Sequence, residues 1–271
     1  MSGSLLFDLE KWQAVSHPDL ANRKPTELFP QDFAERYQRL HNDLWYRIIR
    51  LHGTIYTLEQ LEDFPFDHLY APNGMEFWRL VVRNFLEMAI ILLYGLISDT
   101  GDDAHTIRKF KNEVVKGPWL DQQMRESFMQ TLQEWKIDRK TNIIAERVKK
   151  IRDTYIAHRL VDMQTALPKE ELAAVKLQEL RQLFDALHRL FGALSFGSAY
   201  ATLVGDLMPG TVGGKPTRTC LDEVLDVVLR ESYFVNEPER DQWWHEMRKR
   251  MSPEELQLLN KYRKRLGLPE A

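Results

Sequence analysis

The chain reads as all-α. Apolar residues recur at three- and four-residue spacings along most of its length. No segment sustains the period-two alternation of a half-buried strand. Glycine and proline gather at a few breaks between the periodic stretches. With 271 residues, the chain suits one large domain, or a domain with an extension.

Residues 1–29 form a leader of weak periodicity that ends in the proline-containing RKPTELFPQ. Its start, MSGSLLFDLEKWQAV, lacks the basic end of a signal peptide, and Asp8 and Glu10 break its apolar run. A first long helix begins at Asp32 and shows Phe33, Tyr37, Leu40, Leu44, Ile48 and Leu51 on one stripe. Gly53 interrupts it, and DFPFDHLYAPNG reads as a loop. A second helix spans about Glu76 to Ser98. Phe77, Leu80, Val81, Asn84, Phe85, Met88, Ile91, Leu92 and Gly95 share a broad face, which suits the middle of a bundle. Its most apolar part, Phe85 to Ile97, is shorter than the ~20 residues a bilayer needs, so no membrane association is expected.

SDTGDD closes that helix. TIRKFKNEVV and WLDQQMRESFMQTLQEW read as amphipathic helices separated by Gly117-Pro118. Another helix runs from roughly Thr141 to Met163, and a long one follows Pro168. The bundle thus covers 30–205. Residues 206–215, within GDLMPGTVGGKPTRT, read as a linker, and 216–271 as a helical extension. There Ser252, Pro253 and Glu255 make a capping box with proline in its preferred slot, and Gly267 and Pro269 are stop signals. Trp243-Trp244 suits a packing anchor. Lys261, Arg263, Lys264 and Arg265 suit the bias of cations toward a helix C-terminus.

Familiar cofactor and metal motifs are missing. There is no GxxxxGK[ST] or GxGxxG phosphate loop and no HExxH. His17, His41, His52, His68, His105, His158, His188 and His245 have no paired ligand spacing. The single cysteine, Cys220, excludes an internal disulfide and a cysteine-based zinc cluster, and fits a reducing cytoplasm. No cofactor and no metal are expected. Net charge is −3, so nucleic-acid binding requires a local basic patch.

Such a patch lies in RVKKIRDTYIAHRLVDM, Arg147 to Met163. Ile144, Val148, Ile151 and Tyr155 form a core stripe. Lys149, Lys150, Arg152, Asp153 and Arg159 lie mostly off it. On a straight helix, Arg152 and His158 are about 120° apart around the axis and ~9 Å apart along it. They are poorly placed to act on one atom within one chain. Two copies crossing at a two-fold axis would bring both residues to a shared groove.

IRDTYIAHRL resembles the signature of the HEPN superfamily, an Arg, then four to six residues, then His, with a polar residue directly after the Arg; Asp153 takes that place here. The AHR ending preceded by RDxxI resembles the abortive-infection branch of phage-defence HEPN proteins. The helix order agrees, over roughly 30–205. The resemblance implies an antiparallel helical bundle acting as a homodimer, and a metal-independent endoribonuclease that cuts single-stranded RNA to 2′,3′-cyclic phosphate products. His158 would be the general acid/base and Arg152 the clamp on the phosphate. Asp153 would orient Arg152 or the partner's imidazole, and Asp162 is a second orienter. Lys149, Lys150 and Arg159 would hold the RNA backbone. A toxic nuclease needs restraint, which implies an antitoxin or another partner of a defence system. The competing expectation is a non-catalytic HEPN-like bundle that binds RNA, a nucleotide or a partner protein.

Overall fold

The computed structural model describes residues 20, 23–62, 64, 66, 75–99, 105–157, 176–196, 211–212, 215–216, 218–230, 246 and 248–270. Its helices are α1 (Pro25–Leu28), α2 (Gln31–Glu62), α3 (Met75–Ile97), α4 (Ile107–Lys116), α5 (Gln122–Glu134), α6 (Ile137–Arg152), α7 (Leu177–Gly192), α8 (Cys220–Arg230) and α9 (Pro253–Arg265). The chain is an all-α bundle. One antiparallel hairpin, Thr211–Val212 against Lys215–Pro216, falls across the stretch read as a linker. Its strands are too short to show alternation in sequence. The 1–19 leader, the SDTGDD loop beyond Asp99, residues 158–175 and Trp243-Trp244 lie outside the described residues.

Helix α2 is 32 residues long, about 48 Å. It buries Tyr37, His41, Leu44, Ile48, Leu51, Ile55 and Leu58 in one stripe. The break expected at Gly53 does not occur. A mid-helix glycine costs about 1 kcal/mol, and the buried Ile55 and Leu58 beyond it offset that cost. Thr54 and Thr57 donate their hydroxyls to the carbonyls of Arg50 and Gly53, so neither buried hydroxyl is left unsatisfied.

Helix α3 packs chiefly against α2 and α6. Trp78, Val82, Leu86, Ala89, Ile90, Leu93 and Leu96 face the core. The opposite face carries Phe77, Leu80, Met88 and Ile91, exposed to 61%, 56%, 39% and 58%. This corrects the expectation that α3 sits in the middle of the bundle. Its apolar circumference exceeds what its two neighbours cover. By length and mean composition alone, Glu76–Ile97 is long and apolar enough to cross a membrane, although Arg79, Arg83 and Glu87 interrupt it. What distinguishes α3 from a free span is its buried face, built into the bundle.

Helix α4 is capped by Thr106, which accepts from Lys109 N, and α5 by Asp121, which accepts from Gln123 N and Met124 N. Between them Gly117 lets Phe33 close in. A Cβ there would lie 2.7 Å from the Phe33 ring, so a larger residue would push the two apart. Lys136 reverses the chain in the left-handed region, φ 52°, between α5 and α6. Helix α6 therefore begins at Ile137, four residues before the expected start.

An aromatic cluster ties the ends together. Phe29, Tyr37, Phe110, Trp119, Phe128, Phe191 and Phe196 form a chain of ring contacts across α2, α4, α5 and the end of α7. Within it the Tyr37 hydroxyl donates to Leu194 O at 2.9 Å and accepts from Phe196 N at 2.8 Å. Ser195 Oγ donates to Phe191 O, which leaves it to accept from His41 Nε2 at 3.0 Å. His41 is therefore a packed core residue.

The extension is fastened by charge. Buried Asp226 on α8 pairs with Arg218 and with Arg265 Nε. Asp222 accepts from Thr219, from Arg265 and from the Tyr56 hydroxyl on α2. The capping box at Ser252 forms as expected. Arg263 is buried and donates to Pro269 O at 2.6 Å. Arg263 and Arg265 thus serve the packing of this extension.

Tyr37→Phe removes one hydroxyl and strands two buried backbone groups. It should cost about 1–3 kcal/mol in urea unfolding, and a loss within error would mean the hydroxyl bonds contribute nothing. The α2–α7 seam should also make stability pH-dependent. Burial, with Arg181 and His188 adding, pushes His52 down to about 4. His188 is lowered mainly by burial as well, while burial raises Glu59 and acts in the opposite sense. A depressed histidine contributes stability that is full above its unfolded value, near 6.5, and is lost as pH falls toward 4. The urea midpoint of the wild type should fall relative to His52→Leu across that window. Parallel pH profiles would contradict this.

Candidate active site at the end of helix α6

Helix α6 is anchored on three sides before it reaches Arg152. Ile137, Thr141, Ile144 and Val148 are buried at spacings of four and three, and Tyr155 continues the stripe. Arg147 is paired with Glu179 on α7. Ser98 Oγ, just past α3, donates to Ala145 O at 3.2 Å. Tyr94 lies against Arg152, so α3 and α6 run antiparallel here.

At Asp153 the helix changes. Residues Asp153–Ala157 form a π-helical turn, in which each N–H reaches five residues back. Each residue then turns the chain through less than the ~100° of an α-helix. The straight α-helix on which the 120° separation of Arg152 and His158 rests is replaced by this wider turn over 153–157. His158, Arg159 and Asp162 themselves lie outside the described residues.

Arg152 is held from two directions. Its guanidinium lies over the Tyr94 ring with 4.0 Å from Cζ to the centroid. Its Nε and Nη2 donate to one oxygen of Asp153 at 2.9 and 2.5 Å. The hydrogen bond with Asp153, first among several causes, raises the Arg152 pKa above its ordinary value. The group is a permanent cation that is oriented before any ligand arrives. Asp153 leaves Nη1 out of the pair, so the fork keeps donors for an anion. Lys149 and Lys150 are exposed one turn earlier. Asp153 thus stands where an orienter of Arg152 would stand.

Tyr94 was not legible as part of this site. It sits in the apolar run ILLYGL, where periodicity marks it as a flank residue. Only the antiparallel pairing of α3 with α6 brings it to Arg152. Among the described residues, no group of three or more His, Cys, Asp or Glu is placed to hold a metal.

If the ring restrains the guanidinium, a double-mutant cycle of Tyr94→Leu with Arg152→Met should show about 0.5–1 kcal/mol of coupling in unfolding free energy. Zero coupling would mean the stack adds nothing.

A family model described as AbiU2, HEPN_AbiU2, matches residues 30–209. No curated protein and no solved structure matches the chain.

Proposed function

The chain belongs to the AbiU2 family of abortive-infection HEPN proteins, and from that premise we propose that it is a metal-independent endoribonuclease acting on single-stranded RNA in bacterial anti-phage defence. The observation that carries the proposal is the Arg152 guanidinium, oriented by Asp153 and Tyr94 at the arginine position of the motif. In the reaction, the 2′-oxygen of the RNA attacks the neighbouring phosphorus as its proton passes to a base. The bond from phosphorus to the 5′-oxygen breaks, and that oxygen takes a proton as it leaves. The products are a 2′,3′-cyclic phosphate and a 5′-hydroxyl. His158, from its place in the motif, moves the proton. Arg152 stabilises the charge that grows on the phosphate oxygens.

The active unit is a homodimer. Its support is the exposed stripe of Phe77, Leu80, Met88 and Ile91, which a second copy of this face would cover. Ile91 lies one turn from Tyr94, so an interface built on the stripe would border Arg152. Action in the cytoplasm and restraint by an antitoxin or infection-triggered partner belong to the same reading. A second reading has one observation in its favour. Asp153 occupies two donors of Arg152, which in a non-catalytic bundle would leave phosphate contact to Lys149 and Lys150.

The test is incubation with single-stranded RNA in EDTA. The wild type should cut, and Arg152→Ala and His158→Ala should each lose about 100-fold or more. Leu80→Glu with Ile91→Glu should sediment as a folded monomer and lose cleavage. A wild type that cuts none of a varied set of RNAs would sink the nuclease in favour of binding. Full cleavage by the monomeric variant would remove the dimer from the mechanism.

A further inference from the structure

Helices α4 and α6 are bridged at the surface by two long side chains of α4. Arg108 Nη2 donates to Asn142 Oδ1 at 2.5 Å, and Lys111 pairs with Asp138. These contacts set the two helices antiparallel, with Lys149 and Lys150 at the Arg152 end and Lys116 at the far end. The outward positions are Arg108, Asn112 and Lys116 on α4, and Asp138, Arg139, Asn142, Glu146, Lys149 and Lys150 on α6. From Lys150 to the level of Lys116 the ridge is about 24 Å long, room for several phosphates of one strand.

Its charge is at odds with the rest of the chain. Helix α4 holds four Lys/Arg and one acid, and α6 holds six and two, in a protein of net charge −3. Two of those acids are answered locally, Glu113 by Arg36 from α2 at 2.9 Å and Asp138 by Lys111. Glu146 is the other acid on the ridge. At the start of α4 the placement works against helix stability, whereas Lys116, Lys149 and Lys150 stand in last turns, where the dipole favours them. Helix α4 has no acid in its first turn, and Arg108 and Lys109 stand there. The positive end of the helix dipole disfavours cations at that position by a few tenths of a kcal/mol each. Interhelix contacts account for Lys111 and in part for Arg108, and last-turn positions for Lys116, Lys149 and Lys150, but helix formation gives no reason for Arg139 in the first turn of α6.

We infer that this ridge is the track that holds single-stranded RNA on its way to Arg152, with Arg108 and Arg139 as phosphate-binding residues. The inference rests on the proposed RNA-directed function and extends it to α4. A polyanion matches a long basic surface whose outward residues are all polar. An inserted lipid contact would need apolar side chains among them, and exposed apolar side chains of this bundle lie instead on α3; purely electrostatic binding to anionic lipid is an outcome of the test below. Because the track engages the RNA backbone, binding tolerates changes of sequence.

The probe is a fluorescent single-stranded 2′-O-methyl oligonucleotide, which lacks the nucleophile, so binding is read without cleavage. Arg108→Glu and Arg139→Glu both place an acid near a helix N-terminus, where it favours the helix. Each should weaken binding several-fold in anisotropy titrations. The slope of log affinity against log salt should fall by about 0.7 for each phosphate that is no longer neutralised. Glu146→Gln should tighten binding. Lys264→Glu on α9, an equal change of charge off the ridge, should leave it unchanged. The track is overturned if the Arg108/Arg139 double variant binds like the wild type, or if Lys264→Glu weakens binding equally. It is also overturned if the ridge variants release phosphatidylserine vesicles while keeping the oligonucleotide. Track and nuclease fail separately. Ridge variants that cut with raised KM and unchanged kcat support the track. Ridge-dependent binding by a wild type that cuts no RNA leaves the track standing and removes the nuclease.

Discussion

The bundle depends on one continuous buried stripe along α2. Its N-terminal part carries Tyr37 and His41, which take the end of α7 through hydrogen bonds and ring contacts. Farther along, Leu44 to Leu58 face the helices packed on it, and Tyr56 reaches the C-terminal extension at Asp222. Helix α6 is different. It packs mainly against α3 and α7. The position of Arg152 is therefore set at second hand, by how α3 and α7 sit on α2. A change in the α2–α3 seam should be felt at the guanidinium through Tyr94, although that seam contains none of the motif.

Periodicity exposes what a helix buries, and that much was legible. The stripe of Ile144, Val148 and Tyr155 faces the core as its spacing requires. The Ser252 capping box was readable because all its bonds lie within four residues. The motif was likewise readable as a local string, and the family match bears out that resemblance. Features that depend on partners were not readable. An apolar helix face looks the same whether a neighbour covers it or not, so periodicity assigns Phe77, Leu80 and Ile91 to the interior. Gly53 reads as a break when local propensity is weighed without the long-range burial that carries α2 through it. The π-helical turn after Arg152 has no composition of its own. It breaks the straight-helix geometry that the periodicity assumes.

The exposed stripe of α3 and the basic ridge of α4 and α6 are two surfaces of opposite character around one site. Water would not leave the first uncovered without cost, since burial of apolar area is worth roughly 25 cal/mol per Å². The second is best left open, because its cations are already solvated and its advantage lies in counterions released when a polyanion binds. A second copy on the stripe and a strand on the ridge therefore do not compete.

Asp153 is the point at which these demands meet. A carboxylate bonded to Nε and Nη2 fixes the guanidinium, and orientation in advance spares the cost of ordering a long side chain when substrate binds. The same carboxylate repels an incoming phosphate. Both effects act at once, so the net attraction must come from charges that Asp153 does not neutralise. Lys149 and Lys150, exposed one turn back, are such charges. On the proposed function, Arg152 would therefore contribute little to holding RNA in the ground state. Its contribution would rise as the phosphate gains charge in the transition state and competes with Asp153 for the fork. Differential binding of that kind is what accelerates a reaction. A clamp left free of Asp153 would bind substrate and transition state more equally.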